Sequence, residues 1–275
     1  TGNNDHYGCA VALSSDTFVV AACAANADNG LVYLYTRIAN PNGDKTKFNT
    51  VPDLILNGNT KVKTFGWSMS ITNSFLAIGA PQAPINGDAG EVFVYGRDGT
   101  TNLWSGTAIT VTEAGASNPF VGKRSEGRFG YAISMTDKSI IVGDHAEIVD
   151  GQQTTFQGEV TIWNYDGSTD QSFVVKDRCT VKGTKDYQQF GQTVGVYGTR
   201  FAVGGNDNKV WVYGTSTVGD LYGDGSWSDD LIAMNSGEGG GFGLQVLVHD
   251  TYVVSSAPEQ FGKTANTENA GAVYI

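Results

Sequence analysis

One pattern constrains this chain more than any other. An aromatic-Gly pair recurs at Tyr7-Gly8, Phe65-Gly66, Phe129-Gly130, Phe190-Gly191 and Phe242-Gly243, at spacings of 58, 64, 61 and 52 residues. Each pair opens a similar stretch: "YGCAVALSSDTFVVAAC", "FGWSMSITNSFLAIGAP", "FGYAISMTDKSIIVGDH", "FGQTVGVYGTRFAVGGN" and "FGLQVLVHDTYVVSSAP". Self-similarity at such a period signals a repeat architecture, in which one supersecondary unit is copied and stacked. Every copy reads as strand, short polar turn, strand, with turns short enough for hairpins.

A third strand follows in each copy: "GLVYLY", "GEVFVY", "GEVTIWNY", "KVWVY" and "GAVYI". A fourth is expected after four of them, in "FNTVPDLIL", "LWSGTAITV", "FVVKDRCTV" and "WSDDLIAM". No segment carries the period of a long amphipathic helix. Strands such as "FLAIGA" and "SIIVG" are apolar on both faces, as sheets packed between other sheets require. The expectation is an all-β chain, a β-propeller of four-stranded antiparallel blades. Five blades are visible, at approximately 5–58, 64–113, 128–182, 189–235 and 241–275, with the repeated aromatics filling space between them.

The text "FGWSMSITNSFLAIGAP…GEVFVY" resembles an FG-GAP repeat, the propeller unit also found in integrin α-subunit heads, and the resemblance covers nearly the whole chain. It is closer to the short-hairpin variant of bacteria and protists. Integrin-type repeats place a D-x-D-x-D-G calcium loop in the first hairpin. Here those hairpins are "SSDT", "TNS", "TDKS", "YGT" and "HDT", which lack the spaced oxygen ligands of such a site. The resemblance therefore implies a propeller without those calcium sites, and no cofactor is expected. The fifth copy reaches Ile275 without an outer strand. That edge is expected to be completed by further chain or by a neighbouring molecule, as in self-assembly, or else to stay open.

The net charge of -11, with no basic cluster, argues against binding nucleic acid. No apolar run approaches the roughly 20 residues that span a bilayer as a helix. Of three cysteines, Cys9 and Cys23 fall opposite each other across the first hairpin, close enough for a disulfide in an oxidising compartment. The other reading is a pair of buried thiols in a reducing one. Cys179 has no evident mate.

Long uneven loops between second and third strands, with the connector 112–128, fall on one side of the expected ring, where recognition commonly sits. By resemblance, integrin-type propellers bind partners there. The densest polar group is "GDHAEIVDG", holding Asp144, His145, Glu147 and Asp150, which could ligate a cation or equally form a solvated acidic loop. Phe120, Phe156 and Phe261 are candidate glycan-stacking aromatics, against a packing role. Asp220 and Asp224 in "GDLYGDG" are a weaker calcium candidate on the opposite side. Neither G-x-S-x-G nor H-E-x-x-H occurs, and His6 and His249 lack catalytic companions. The functional expectation is a non-catalytic extracellular or cell-surface module for protein or glycan binding, or a structural subunit of a surface assembly. The alternative is a polysaccharide-active lyase or hydrolase on the same scaffold.

Overall fold

The computed structural model describes residues 5–38, 47–58, 63–83, 89–109, 111–113, 116–117, 120–123, 127–146, 156–166, 173–214, 234–235, 241–258 and 271–275. The described residues are all-β and form five sheets in chain order. Sheet 1 holds β1 (Tyr7–Leu13), β2 (Thr17–Ala22), β3 (Leu31–Ile38), β4 (Lys47–Phe48) and β5 (Leu54–Asn57). Sheet 2 holds β6 (Ser68–Ile71), β7 (Phe75–Ala80) and β8 (Glu91–Gly96). Sheet 3 holds β9 (Thr112–Glu113), β10 (Ala116–Ser117), β11 (Ala132–Met135), β12 (Ser139–Asp144), β13 (Glu159–Asp166) and β14 (Val174–Lys182). Sheet 4 holds β15 (Thr193–Tyr197), β16 (Arg200–Gly204), β17 (Lys209–Gly214) and β18 (Met234–Asn235), and sheet 5 holds β19 (Val246–His249), β20 (Tyr252–Ala257) and β21 (Ala272–Tyr274).

In each sheet the three repeated strands pair antiparallel in sequence order, as local hairpin connections favour. The fourth strand varies. In sheet 1 it is broken into β4 and β5, both paired with β3, with Asn49–Asp53 between them. In sheet 3 it is the continuous β14. In sheet 2 the expected strand over 103–111 is no regular ladder; its described residues meet β8 through an Arg97–Trp104 bridge and the Ile109 N–H to Val94 carbonyl bond. Trp104 turns away, donating its indole N–H to Thr17 Oγ1 of sheet 1 at 3.1 Å. The connector after it supplies β9, which runs parallel to β14 on sheet 3. For sheet 4, only β18 of the expected strand lies within the described residues.

The aromatic-Gly pairs have one local geometry. The residue after each glycine donates its N–H to the carbonyl three positions back: Cys9 to His6, Trp67 to Thr64, Tyr131 to Arg128, Gln192 to Gln189 and Leu244 to Gly241. The glycine is the third turn residue, with φ from +86° to +94°, a region that excludes a Cβ at little cost only for glycine. The turn seats on the sheet before it. Phe65 N–H donates to Asn29, Phe129 to Ala89 and Phe190 to Gln157, each a residue just ahead of the preceding sheet's third strand. Further bonds cross the same junctions: Ser68 Oγ to the Gly130 carbonyl, and the amides of Met135 and Val196 to the hydroxyls of Ser70 and Ser134.

The apolar core lies between successive sheets, which is why the middle strands have no polar face. β7 and β12 are buried along their whole length. Phe75, Phe120, Trp163, Tyr165 and Phe173 form the largest aromatic cluster, between sheets 2 and 3, mostly in edge-to-face contact. Phe65 and Phe190 fill the neighbouring junctions. First strands meet in series, β1 on β6, β6 on β11, β11 on β15 and β15 on β19.

Close approach makes certain glycines irreplaceable. A Cβ on Gly143 in β12 would fall inside the van der Waals radius of the Gly191 carbonyl oxygen, whereas one on Gly8 would meet nothing within 4 Å. Gly143→Ala is therefore expected to destabilise the chain by about 3 kcal/mol or more through overpacking against backbone. Gly8→Ala is expected to cost only about 1–2 kcal/mol, from its left-handed φ. Equilibrium denaturation of the two variants measures the difference, and equal losses would contradict this packing.

Candidate functional site: an aromatic shelf at the loop end

The turn that seats each sheet also aims the next side chain. Position +1 after the glycine holds Cys9, Trp67, Tyr131, Gln192 and Leu244. In sheets 2 and 3 this places two large rings side by side, with the Trp67 and Tyr131 centroids 5.5 Å apart. His145, the first residue beyond β12, sets its ring edge against Tyr131 at 4.1 Å. The result is a row of three rings where the strands give way to long loops. Its outer member, Trp67, is 42% exposed, unusual for an indole on a strand lead-in.

Asp144 and His145 do different work. Asp144 is buried, and its Oδ1 accepts the Arg128 amide at 2.8 Å, so it braces the turn that presents Tyr131. His145 is held neutral. Burial, helped by the charge of Arg128, pushes its pKa down to about 4. No described residue partners its buried Nδ1. A neutral imidazole edge-on to Tyr131 adds apolar ring surface to the shelf rather than charge.

The structure sorts the remaining candidates. Glu147, Asp150, Phe261, Asp220 and Asp224 lie outside the described residues. Phe120 is not a loop-tip aromatic: it is fully buried, with its ring 4.8 Å from Trp163 and 5.6 Å from Phe173. The connector folds back so that the Phe120 carbonyl accepts the Val92 amide, which carries the ring into the junction between sheets 2 and 3. Phe156 is partly exposed just ahead of β13, at φ +29°, and its carbonyl accepts the Gln189 amide. Cys9 and Cys23 form a disulfide with Cα atoms 6.2 Å apart, and Cys179 is a half-buried free thiol on β14. Among the described residues no group of three or more metal-capable side chains converges.

Trp67 and Tyr131 were not singled out from sequence. The signal was present, since both occupy the same repeat position, but their contact depends on how two sheets pack. At the opposite end of the sheets a cavity of about 350 Å³ lies between sheets 1 and 2, lined in part by Asp16, Thr36, Asp53, Arg97 and Trp104. There Arg97 grips Asp16 through two bonds of 2.9 and 3.0 Å and lies over the Trp104 ring. That forked pair joins the hairpin of sheet 1 to the end of β8, a structural clasp.

No protein-family model matches the chain, and no curated protein is similar to it. The shelf is accordingly read on its own chemistry.

The His145 environment has a consequence for stability. The unfolded chain protonates this histidine as pH falls through its ordinary value near 6.5, while the folded chain resists until about 4. Stability contributed by neutral His145 is thus full above that window and lost as pH falls through it, by up to about 3 kcal/mol. His145→Gln is expected to flatten this part of the stability–pH profile, measured by urea denaturation at successive pH values. An unchanged slope would contradict the burial described.

Proposed function

We propose that the chain is an extracellular or cell-surface β-propeller module of the FG-GAP type that binds a glycan without chemically transforming it. The serial packing of five similar antiparallel sheets through their first strands supports the propeller reading. The Cys9–Cys23 disulfide supports an oxidising compartment. No helix among the described residues is long and apolar enough to cross a membrane.

The observation that carries the ligand class is the exposed Trp67 indole backed by Tyr131 and His145. A broad, partly exposed ring offers the C–H side of a sugar an apolar surface. The rings are held by turns whose glycines are fixed by contact with the preceding sheet, so little side-chain freedom is lost on binding. A protein ligand would use the same shelf as an aromatic anchor.

Screening a panel of oligosaccharides, then titrating the best binder by calorimetry, tests the proposal. Trp67→Ala is expected to weaken binding about ten-fold, consistent with loss of one stacking contact. Tyr197→Ala, on an exposed ring cluster with His249 and Tyr252 at the far hairpin tips, is expected to leave it unchanged. Binding insensitive to Trp67, or no binding across the panel, would refute the shelf as a glycan site.

A further inference from the structure

The Trp67 and Tyr131 rings belong to a longer row. The residue after the aromatic-Gly pair recurs in every sheet, and the first strands pack in series. Three junctions repeat one backbone contact closely. A Cβ on Gly79 would fall 2.1 Å from the Gly130 carbonyl oxygen, one on Gly143 2.0 Å from that of Gly191, and one on Gly204 2.1 Å from that of Gly243. The residues that follow, Tyr131, Gln192 and Leu244, donate their amides to the same position three residues back. Each is thus delivered to the sheet before it in the same way. Between sheets 2 and 3 this delivery sets the Tyr131 ring 5.5 Å from Trp67. Repeated between sheets 3 and 4, it puts Gln192 next in line after Tyr131.

The chemistry changes along the row. An exposed indole and a half-buried phenol give way to the half-buried amide of Gln192. Gln188, one turn earlier, spends its amide on the scaffold: its Oε1 accepts the Thr184 and Lys185 amides, and its Nε2 donates to Asp207. Gln192 is different. Its Oε1 is turned inward with no hydrogen-bond partner among the described residues. A covered carbonyl without a donor is costly, and an outward turn of the amide relieves that cost once hydroxyls are there to bond it. Two rings in succession suit successive sugars of a chain, and the amide that follows offers a donor and an acceptor to sugar hydroxyls. A chain keeps its flat C–H faces toward consecutive rings only where hydroxyls and linkages are equatorial. The net charge of -11 works against a polyanionic chain.

We propose that the shelf is the start of a track across sheets 2 to 4 that takes a neutral, linear, equatorially linked glycan several sugars long. Trp67 and Tyr131 stack successive sugars, and Gln192 is the hydrogen-bonding position that follows them. This deepens the glycan reading of the shelf and rests on it. What it adds is the form of the ligand, a run of chain in place of a single terminal sugar, and a residue that discriminates between the two.

The test is calorimetric titration of the 275-residue chain with β-1,4-linked gluco-oligosaccharides from the disaccharide to the hexasaccharide, for the wild type and for Trp67→Ala and Gln192→Ala. Melting temperatures of the variants serve as the folding control. Affinity is expected to rise about five-fold from disaccharide to tetrasaccharide, the gain from one further hydrogen-bonded position. Q192A is expected to remove that gain and leave the disaccharide unchanged, whereas W67A weakens every length. A general disturbance of the fold would instead weaken short and long ligands alike. Affinity that does not rise beyond the disaccharide, or a Q192A variant that leaves all lengths unchanged or weakens them equally, would overturn the track. With Trp67-dependent binding intact, that result leaves the shelf itself standing. If no member of the series binds, the proposal is overturned, and the shelf then survives only through a Trp67-dependent binder from the wider panel.

Discussion

The fold depends on one close contact: the backbone of an aromatic-Gly turn resting on the backbone of the preceding sheet. Hydrogen-bonded sheets that pack face to face are usually kept apart by their side chains, about 10 Å between layers. Here the approach at the first strands is closer, because glycines stand on both sides. Gly130 rests on Gly79, with its would-be Cβ 3.4 Å from that Cα, and Gly191 rests likewise on Gly143 at 3.3 Å. Away from this point the space between sheets is filled by rings such as Phe65 against Phe93 and Tyr95, and Phe120 against Trp163.

The same contact explains the placement of the candidate site. A turn fixed by its own i to i+3 bond, by a bond to the preceding sheet and by a glycine with no freedom to move leaves the following side chain in a fixed direction. In sheet 1 that position is a half-cystine tied to Cys23, in sheets 2 and 3 it is an aromatic, and in sheet 4 it is Gln192. Chemistry can therefore vary at this position while the scaffold stays constant. The shelf of Trp67, Tyr131 and His145 is one such variation, and Asp144 shows how a neighbouring carboxylate is used to hold it.

Much of this was legible in the sequence because it is local. The hairpins follow from alternating short apolar runs and polar turns, and the Cys9–Cys23 pairing from counting outward from the Ser15-Asp16 turn. What was not legible depends on contacts between sheets. Phe120 sits in a polar connector and reads as a loop aromatic, yet a backbone bond to Val92 turns it into the core. His145 reads as a ligand in an acidic loop, but burial against Tyr131 keeps it neutral. In the expected outer strand of sheet 2, Trp104 sends its indole N–H to Thr17 on the neighbouring sheet, a contact between sheets that local pattern does not show. Trp67 and Tyr131 lie 64 positions apart and meet only through the junction of sheets 2 and 3.

Amide hydrogen exchange resolved by residue examines the seating of these turns most directly. The amides of Phe65, Phe129 and Phe190 bond across junctions to Asn29, Ala89 and Gln157 and belong to no strand ladder of their own sheet. If the turns hold the sheets together, these three amides exchange only through global unfolding, with the protection of the central β7 and β12 amides. Exchange of these amides at the rate of solvent-exposed loops, while the strand amides stay protected, would mean that the sheets are held by side-chain packing alone and that the glycine contact does not organise the fold.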